Sequence, residues 1–178
     1  MDADIEVQIV AAEFLGKEGA ETLHNRLQSE IHIDTDTKIK MIDIFINNNF
    51  FSSINTLKNE FLNLVKYKET QNIKYLELCE NILKAFRNFK SNKLNHFFTV
   101  DFILQNPLLE KKIIKTLGAC GSKIELELLY SLNKTNKKQS TRKEINNAIT
   151  EIQSRLTTGE KGWLSVEDLS NNDKNHLI

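Results

Sequence analysis

Apolar residues recur at spacings of three and four along nearly the whole of this 178-residue chain. The sets are Ile5, Ile9, Val10, Ala12, Phe14, Leu15, Leu23, Leu27; then Ile39, Met41, Ile42, Phe45, Ile46, Ile54, Leu57, Phe61, Leu64. Further on come Leu76, Cys79, Ile82, Leu83, Phe86, Phe89, Leu94, Phe97, Phe98; Leu109, Ile113, Ile114, Leu117, Leu126, Leu129, Leu132; and Ile145, Ala148, Ile149, Ile152, Leu156. Such spacing lays each set on one stripe of an α-helix facing a core. Alternation at period two is nowhere sustained. One proline and six glycines are too few for a loop-rich β-fold. The chain is expected to be all-α.

The breaks recur as well. Gly16-Lys17-Glu18-Gly19, Asn47-Asn48-Asn49, Lys90-Ser91-Asn92 and Gly118-Ala119-Cys120-Gly121 cut the stripes as tight turns, and longer polar stretches separate the sets. Asp36, Ser140 and Asn106, the last followed by Pro107, read as helix N-caps. Taking Leu15, Phe45, Phe86 and Leu117 as the last core residue of each first helix gives a period of roughly 30 to 40 residues, that of helical repeat arrays. The clearest internal match sets Phe14-Leu15-Gly16-Lys17-Glu18-Gly19 beside Thr116-Leu117-Gly118-Ala119-Cys120-Gly121. In both, the first glycine is expected to form a left-handed C-cap and the second to let two helices approach closely.

A polar-Pro start, an apolar first helix ending in Leu-Gly-x-x-Gly, and a second helix of spaced leucines resemble HEAT repeats, particularly the short bacterial kind of phycobilisome-lyase-like proteins. The best-matching unit is Asn106 to Gly121 with Leu126, Leu129 and Leu132. The first unit, Val10 to Leu27, fits nearly as well; Ile39–Val65 and Tyr75–Phe98 keep the spacing but lack the glycines. Thr141–Leu156 is expected to add one more first helix. The resemblance implies an α-solenoid of about four to five stacked helix–turn–helix repeats over residues 1–156, followed by a tail at 157–178. The tail is expected to be partly disordered, or docked on the last repeat through Trp163–Val166, with a short linear motif as the other reading of that patch.

No catalytic constellation emerges. His24, His32, His96 and His176 include no His-x-x-x-His or His-Glu pair. That removes the iron-dependent hydroxylases that the HEAT resemblance would otherwise bring in. His96 is read as lying on a second helix, at the core edge or surface. Cys79 and Cys120 occupy apolar positions, where a small buried hydrophobe is the ordinary reading. Glu125 and Glu127 sit two apart on a helix and point to different sides. Asp34 and Asp36 read as turn and cap chemistry. No catalytic residue, cofactor or metal is expected.

Lys and Arg total 24 against 24 Asp and Glu, so there is no basic excess of the kind phosphate binding needs. Charge is uneven: the first third is acidic, whereas Lys111 to Lys143 is basic. Nucleic acid is disfavoured as a partner. Two cysteines point to a reducing, cytoplasmic setting; the acidic start lacks a signal-peptide layout, and no apolar run is long enough for a membrane span.

A solenoid leaves one helix layer as an extended concave surface. The expected function is therefore a non-catalytic interaction or scaffold module that binds another protein on that layer, through Asn55, Lys58, Asn95, Glu127, Tyr130 and Ser131. Tyr130 leads, because exposed aromatics anchor interfaces. The alternatives implied by the resemblance are a HEAT-type lyase-like enzyme or chromophore-binding protein and, further off, a nucleic-acid-binding HEAT protein.

Overall fold

Helices occupy the positions that the apolar spacing predicts, with one departure between residues 90 and 100. The structure, a computed structural model, describes residues 3–30, 32–66, 73–90, 94, 96–136 and 138–171, without the side chains of 3 and 159–171. Its helices are α1 (Ala3–Leu15), α2 (Lys17–Ser29), α3 (Thr35–Asn47), α4 (Ile54–Lys66), α5 (Ile73–Phe89), α6 (Val100–Gln105), α7 (Glu110–Cys120), α8 (Lys123–Thr135) and α9 (Gln139–Asn171). A single 3-10 turn, Phe51–Ser53, leads into α4. Among the described residues there is no strand. No helix among them is long and apolar enough to cross a membrane.

The odd-numbered helices form one row: α1 packs on α3, α3 on α5, α5 on α7 and α7 on α9. The even-numbered helices pack onto that row, α2 against α1 and α3, α4 against α5, α6 against α7 and α8, and α8 against α9. One continuous core runs between them, with Phe45, Phe61 and Phe86 fully buried among Leu23, Met41, Ile82 and Ile103. Burial of each phenylalanine contributes about 2–3 kcal/mol, and Phe61→Ala would cost about 3–5 kcal/mol by opening a cavity.

Each of the first three junctions of the row carries a lysine on the later helix paired with an acid on the earlier one. Lys40 meets Glu6 at 3.7 Å, Lys84 meets Asp43 at 2.9 Å, and Lys112 meets Glu80 at 2.9 Å. These pairs are solvent-exposed, so each is worth about 0–1 kcal/mol. Their effect is on register, because a lysine one turn out of place would lose its partner.

The paired Leu-Gly-x-x-Gly motifs are not equivalent in space. Gly16 is the single residue between α1 and α2 and takes φ 61°, a conformation that disfavours any side chain. Gly19 lies against the backbone of Ala12, leaving no room for a Cβ. In the second motif Gly118 is inside α7, where a Cβ would stand 3.0 Å from Ala148 Cα on α9, and only Gly121, at φ −70°, ends the helix. The expected left-handed cap at Gly118 therefore does not form. The anchors differ too: Leu117 is buried, whereas Leu15 is 58% exposed and belongs to no core.

Three expected caps move. Asp34, not Asp36, caps α3, accepting from the Thr37 N–H at 3.0 Å and the Thr37 hydroxyl at 2.6 Å. Asn106 closes α6 rather than opening α7, with its amide donating to the Phe102 carbonyl at 2.7 Å, and Pro107 sits in the turn that follows. Ser140 falls inside the first turn of α9. The departure near residue 95 has the same local character: His96 has φ 61° and lies in a turn, not on a helix. Past Leu156 the backbone of α9 continues to Asn171, and Trp163 lies outside the residues whose side chains are described.

Candidate functional site

Helix α6 has only six residues, against thirteen in α4. About 9 Å of helix cannot lie along the about 20 Å of α4, and the mismatch leaves an open cleft between them. The cleft encloses about 600 Å³ and is lined by Leu62, Val65, Lys66, Phe102, Gln105 and Asn106. Phe102, in its lining, belongs to an aromatic cluster. Phe61 stands 6.1, 6.0 and 6.2 Å from Phe97, Phe98 and Phe102, and Phe97 and Phe98 meet edge-on at 4.7 Å. Such contacts each add about 0.5–1.5 kcal/mol beyond area burial. They hold Phe97 and Phe98, which precede α6 and lie in no helix.

Lys58, expected as a contact residue, is half-buried with its ammonium 4.9 Å from the Phe97 ring centroid. It is bound to the cluster rather than held out to solvent. Asn55 is exposed at the start of α4. Glu127, Tyr130 and Ser131 are exposed on α8, and the Tyr130 hydroxyl accepts a 2.9 Å hydrogen bond from the Gln153 amide on α9. Asn95 lies outside the described residues. The predicted residues thus fall into two groups, one on α4 and one on α8.

Two buried carboxylates hold helix joins. Glu125 and Ser122 make a capping box: the Ser122 N–H and hydroxyl both donate to Glu125 Oε2 at 2.7 Å, and the His96 N–H donates to Oε1 at 3.3 Å. Glu110 accepts from the Asn136 amide and, at 3.4 Å, from the Thr141 hydroxyl. Glu127, two residues after Glu125, faces solvent, as the helical spacing requires.

A second cleft, of about 560 Å³, opens where α3 begins, beside α4 and α5. Its charges are internally paired: Lys38 with Glu60, and Lys74 with Asp36 at 2.7 Å. Asp34 holds the cap of α3, and the Thr37 hydroxyl and N–H keep its carboxyl below the ordinary range. Lys74 is raised by its hydrogen bond to Asp36. This cleft is a clamp on the α2–α3 link rather than a set of groups aimed at a substrate. Among the described residues no cluster of three or more His, Cys, Asp or Glu could hold a metal ion.

No family model matches the chain, and comparison with curated proteins and with solved structures gives no significant match. The site rests on its own geometry. Sequence reasoning missed Leu62, Val65 and Phe102. A signal was present: Leu62 and Val65 widen the apolar stripe of α4 beyond the buried Ile54, Leu57, Phe61 and Leu64.

Proposed function

We propose that the chain is a non-catalytic protein–protein interaction module, built as a short and degenerate HEAT-like α-solenoid that holds a partner protein on its even-numbered helices. The observation that carries the reading is the apolar cleft between α4 and α6, with Leu62 exposed at its rim. An apolar groove beside a layer of helices suits an inserted side chain or helix of another protein. Among the described residues Lys66 is the one cation of its lining, where a phosphate backbone would call for a row of them. The row of odd helices with its lysine–acid pair at successive junctions supports a repeat architecture. The α8 stripe Glu127, Tyr130 and Ser131 is a second contact on the same layer.

Photo-crosslinking tests it. A benzoylphenylalanine replaces Leu62 in one preparation and Asn147, on the polar outer side of α9, in another, and each is irradiated in extract of the source cells. A protein captured at position 62 and not at 147, with the yield lowered severalfold by Tyr130→Ala or Val65→Glu, would support the reading. No protein at 62, or the same set at both positions, would reject it.

A further inference from the structure

The two ends of the odd row have opposite surfaces. Within the row α3 is flanked by α1 and α5, α5 by α3 and α7, and α7 by α5 and α9. At the α9 end the outward residues among those described are polar, with Arg142, Lys143, Asn146, Asn147 and Thr150 exposed. The α1 end is different. Ile5, Ile9 and Ala12 enter the core, while Val7, Val10 and Phe14 lie on the opposite side of the helix, 67%, 55% and 86% exposed. Their i, i+3, i+7 spacing makes a continuous stripe, the arrangement a neighbouring helix would cover.

The charge around the stripe selects its cover. Helix α1 carries Asp4, Glu6 and Glu13 and has no lysine or arginine; Asp4 pairs with Arg26 at 3.4 Å and Glu6 with Lys40 at 3.7 Å, which leaves Glu13 as the exposed acid outside these pairs. Over residues 3–30 six carboxylates face two cations, Lys17 and Arg26. A second copy laid α1 against α1 would match apolar to apolar but set Glu6 and Glu13 against the same acids. A second copy offering its α9 end would match charge but place Val7, Val10 and Phe14 on asparagine and lysine. An anionic lipid surface would repel the acidic flanks.

We propose that the outer face of α1 docks an amphipathic helix of a partner protein, whose apolar stripe is flanked by lysine or arginine. This surface is separate from the α4–α6 cleft and stands whether or not that cleft binds anything. Leucines of the partner cover Val7, Val10 and Phe14, and its cations meet Glu13, the α1 acid that is not engaged by Arg26 or Lys40.

The test uses the full chain and a fluorescein-labelled leucine–lysine amphipathic peptide of about five helical turns, with a leucine–glutamate peptide of the same pattern as its counterpart. Fluorescence anisotropy should show the lysine peptide binding at least about tenfold more tightly than the glutamate peptide. Phe14→Ser should weaken it by about tenfold or more, and Glu13→Lys should weaken it and flatten its salt dependence. Phe14 is so exposed that its replacement leaves the fold intact, which circular dichroism verifies, and Leu62→Glu should leave the peptide's affinity unchanged. Equal binding of the two peptides, or full binding to Phe14→Ser, overturns the proposal. So does sedimentation of the wild-type chain as a dimer that Phe14→Ser converts to a monomer, since a second copy would then be the cover.

Discussion

The imidazole Nε2 of His24 on α2 lies 2.8 Å from the hydroxyl of Thr56 on α4. That hydroxyl also accepts a 2.9 Å hydrogen bond from the Gln28 amide, so Thr56 joins two side chains of α2 to α4. Phe45 and Phe50 meet the ring edge-on at 6.2 and 5.4 Å. Burial pushes the His24 pKa below its ordinary 6.5, against the raising effect of Glu21. The unfolded chain therefore binds a proton near pH 6.5 that the folded chain refuses. The associated stability is present above 6.5 and is lost as pH falls toward the lowered folded value. Urea melts taken from neutrality to below 6.5 should show the midpoint dropping, and the drop should shrink in His24→Gln. An equal drop in both proteins would show that His24 is not its source.

Gly19→Ala should be the most damaging of the glycine substitutions at the close contacts. Its Cβ would meet the backbone of Ala12, which cannot yield without separating α1 from α2. The expected cost is about 2–3 kcal/mol, from overpacking. Gly118→Ala meets the Ala148 Cα and Cβ at 3.0 Å, looser than the contact with Ala12 Cα at Gly19, and the flexible Glu151 carboxylate at 2.9 Å, and gains helix propensity in return. Its net cost should be about 1 kcal/mol or less. Thermal melts of the two variants give the order directly, and a reversed order would contradict the geometry.

The Glu125 carboxylate ties α8 to the segment before α6, so its removal should reach further than loss of the cap alone. Ser122→Ala should cost about 1 kcal/mol. Glu125→Ala should cost about twice that, because the backbone N–H groups of Ser122 and His96 both lose their acceptor. Amide exchange separates the cases. The His96 N–H should exchange faster in Glu125→Ala and stay near wild type in Ser122→Ala.

Neither described cysteine should react in the folded chain. Cys79 is buried, and burial pushes the Cys120 thiol up to about 12 despite the nearby Arg155 and Arg87. The Cys120 thiol also donates to the Thr116 carbonyl at 2.9 Å. Ellman titration should find both thiols only after denaturant is added, with a native rate that follows unfolding. Prompt labelling of Cys120 at mildly alkaline pH would contradict this.

The element types were legible because burial and periodicity coincide in most of the chain. Phe45, Phe61 and Phe86 were placed in the core by spacing alone, and the core holds them. The candidate surface was legible only in part. Asn55, Glu127, Tyr130 and Ser131 are exposed as expected, but Lys58 is turned onto Phe97, a residue distant in sequence that the spacing could not place beside it. The apolar cleft was hidden for the same reason: its two walls come from helices separated by the whole of α5.

The Leu-Gly-x-x-Gly pair marks the boundary of what a local pattern can carry. The same letters give a turn with φ 61° at Gly16 and a helical close approach to Ala148 at Gly118. Glycine permits both, and the neighbour decides. The sequence by itself determined that the chain is helical and which residues can face a core, because those depend on a period of 3.6 residues within one segment. Only the tertiary structure decided which glycine turns the chain, which carboxylate is buried at a helix join, and that Phe14 faces water. Those outcomes depend on which helices lie alongside, a matter of long-range packing that no single stretch encodes.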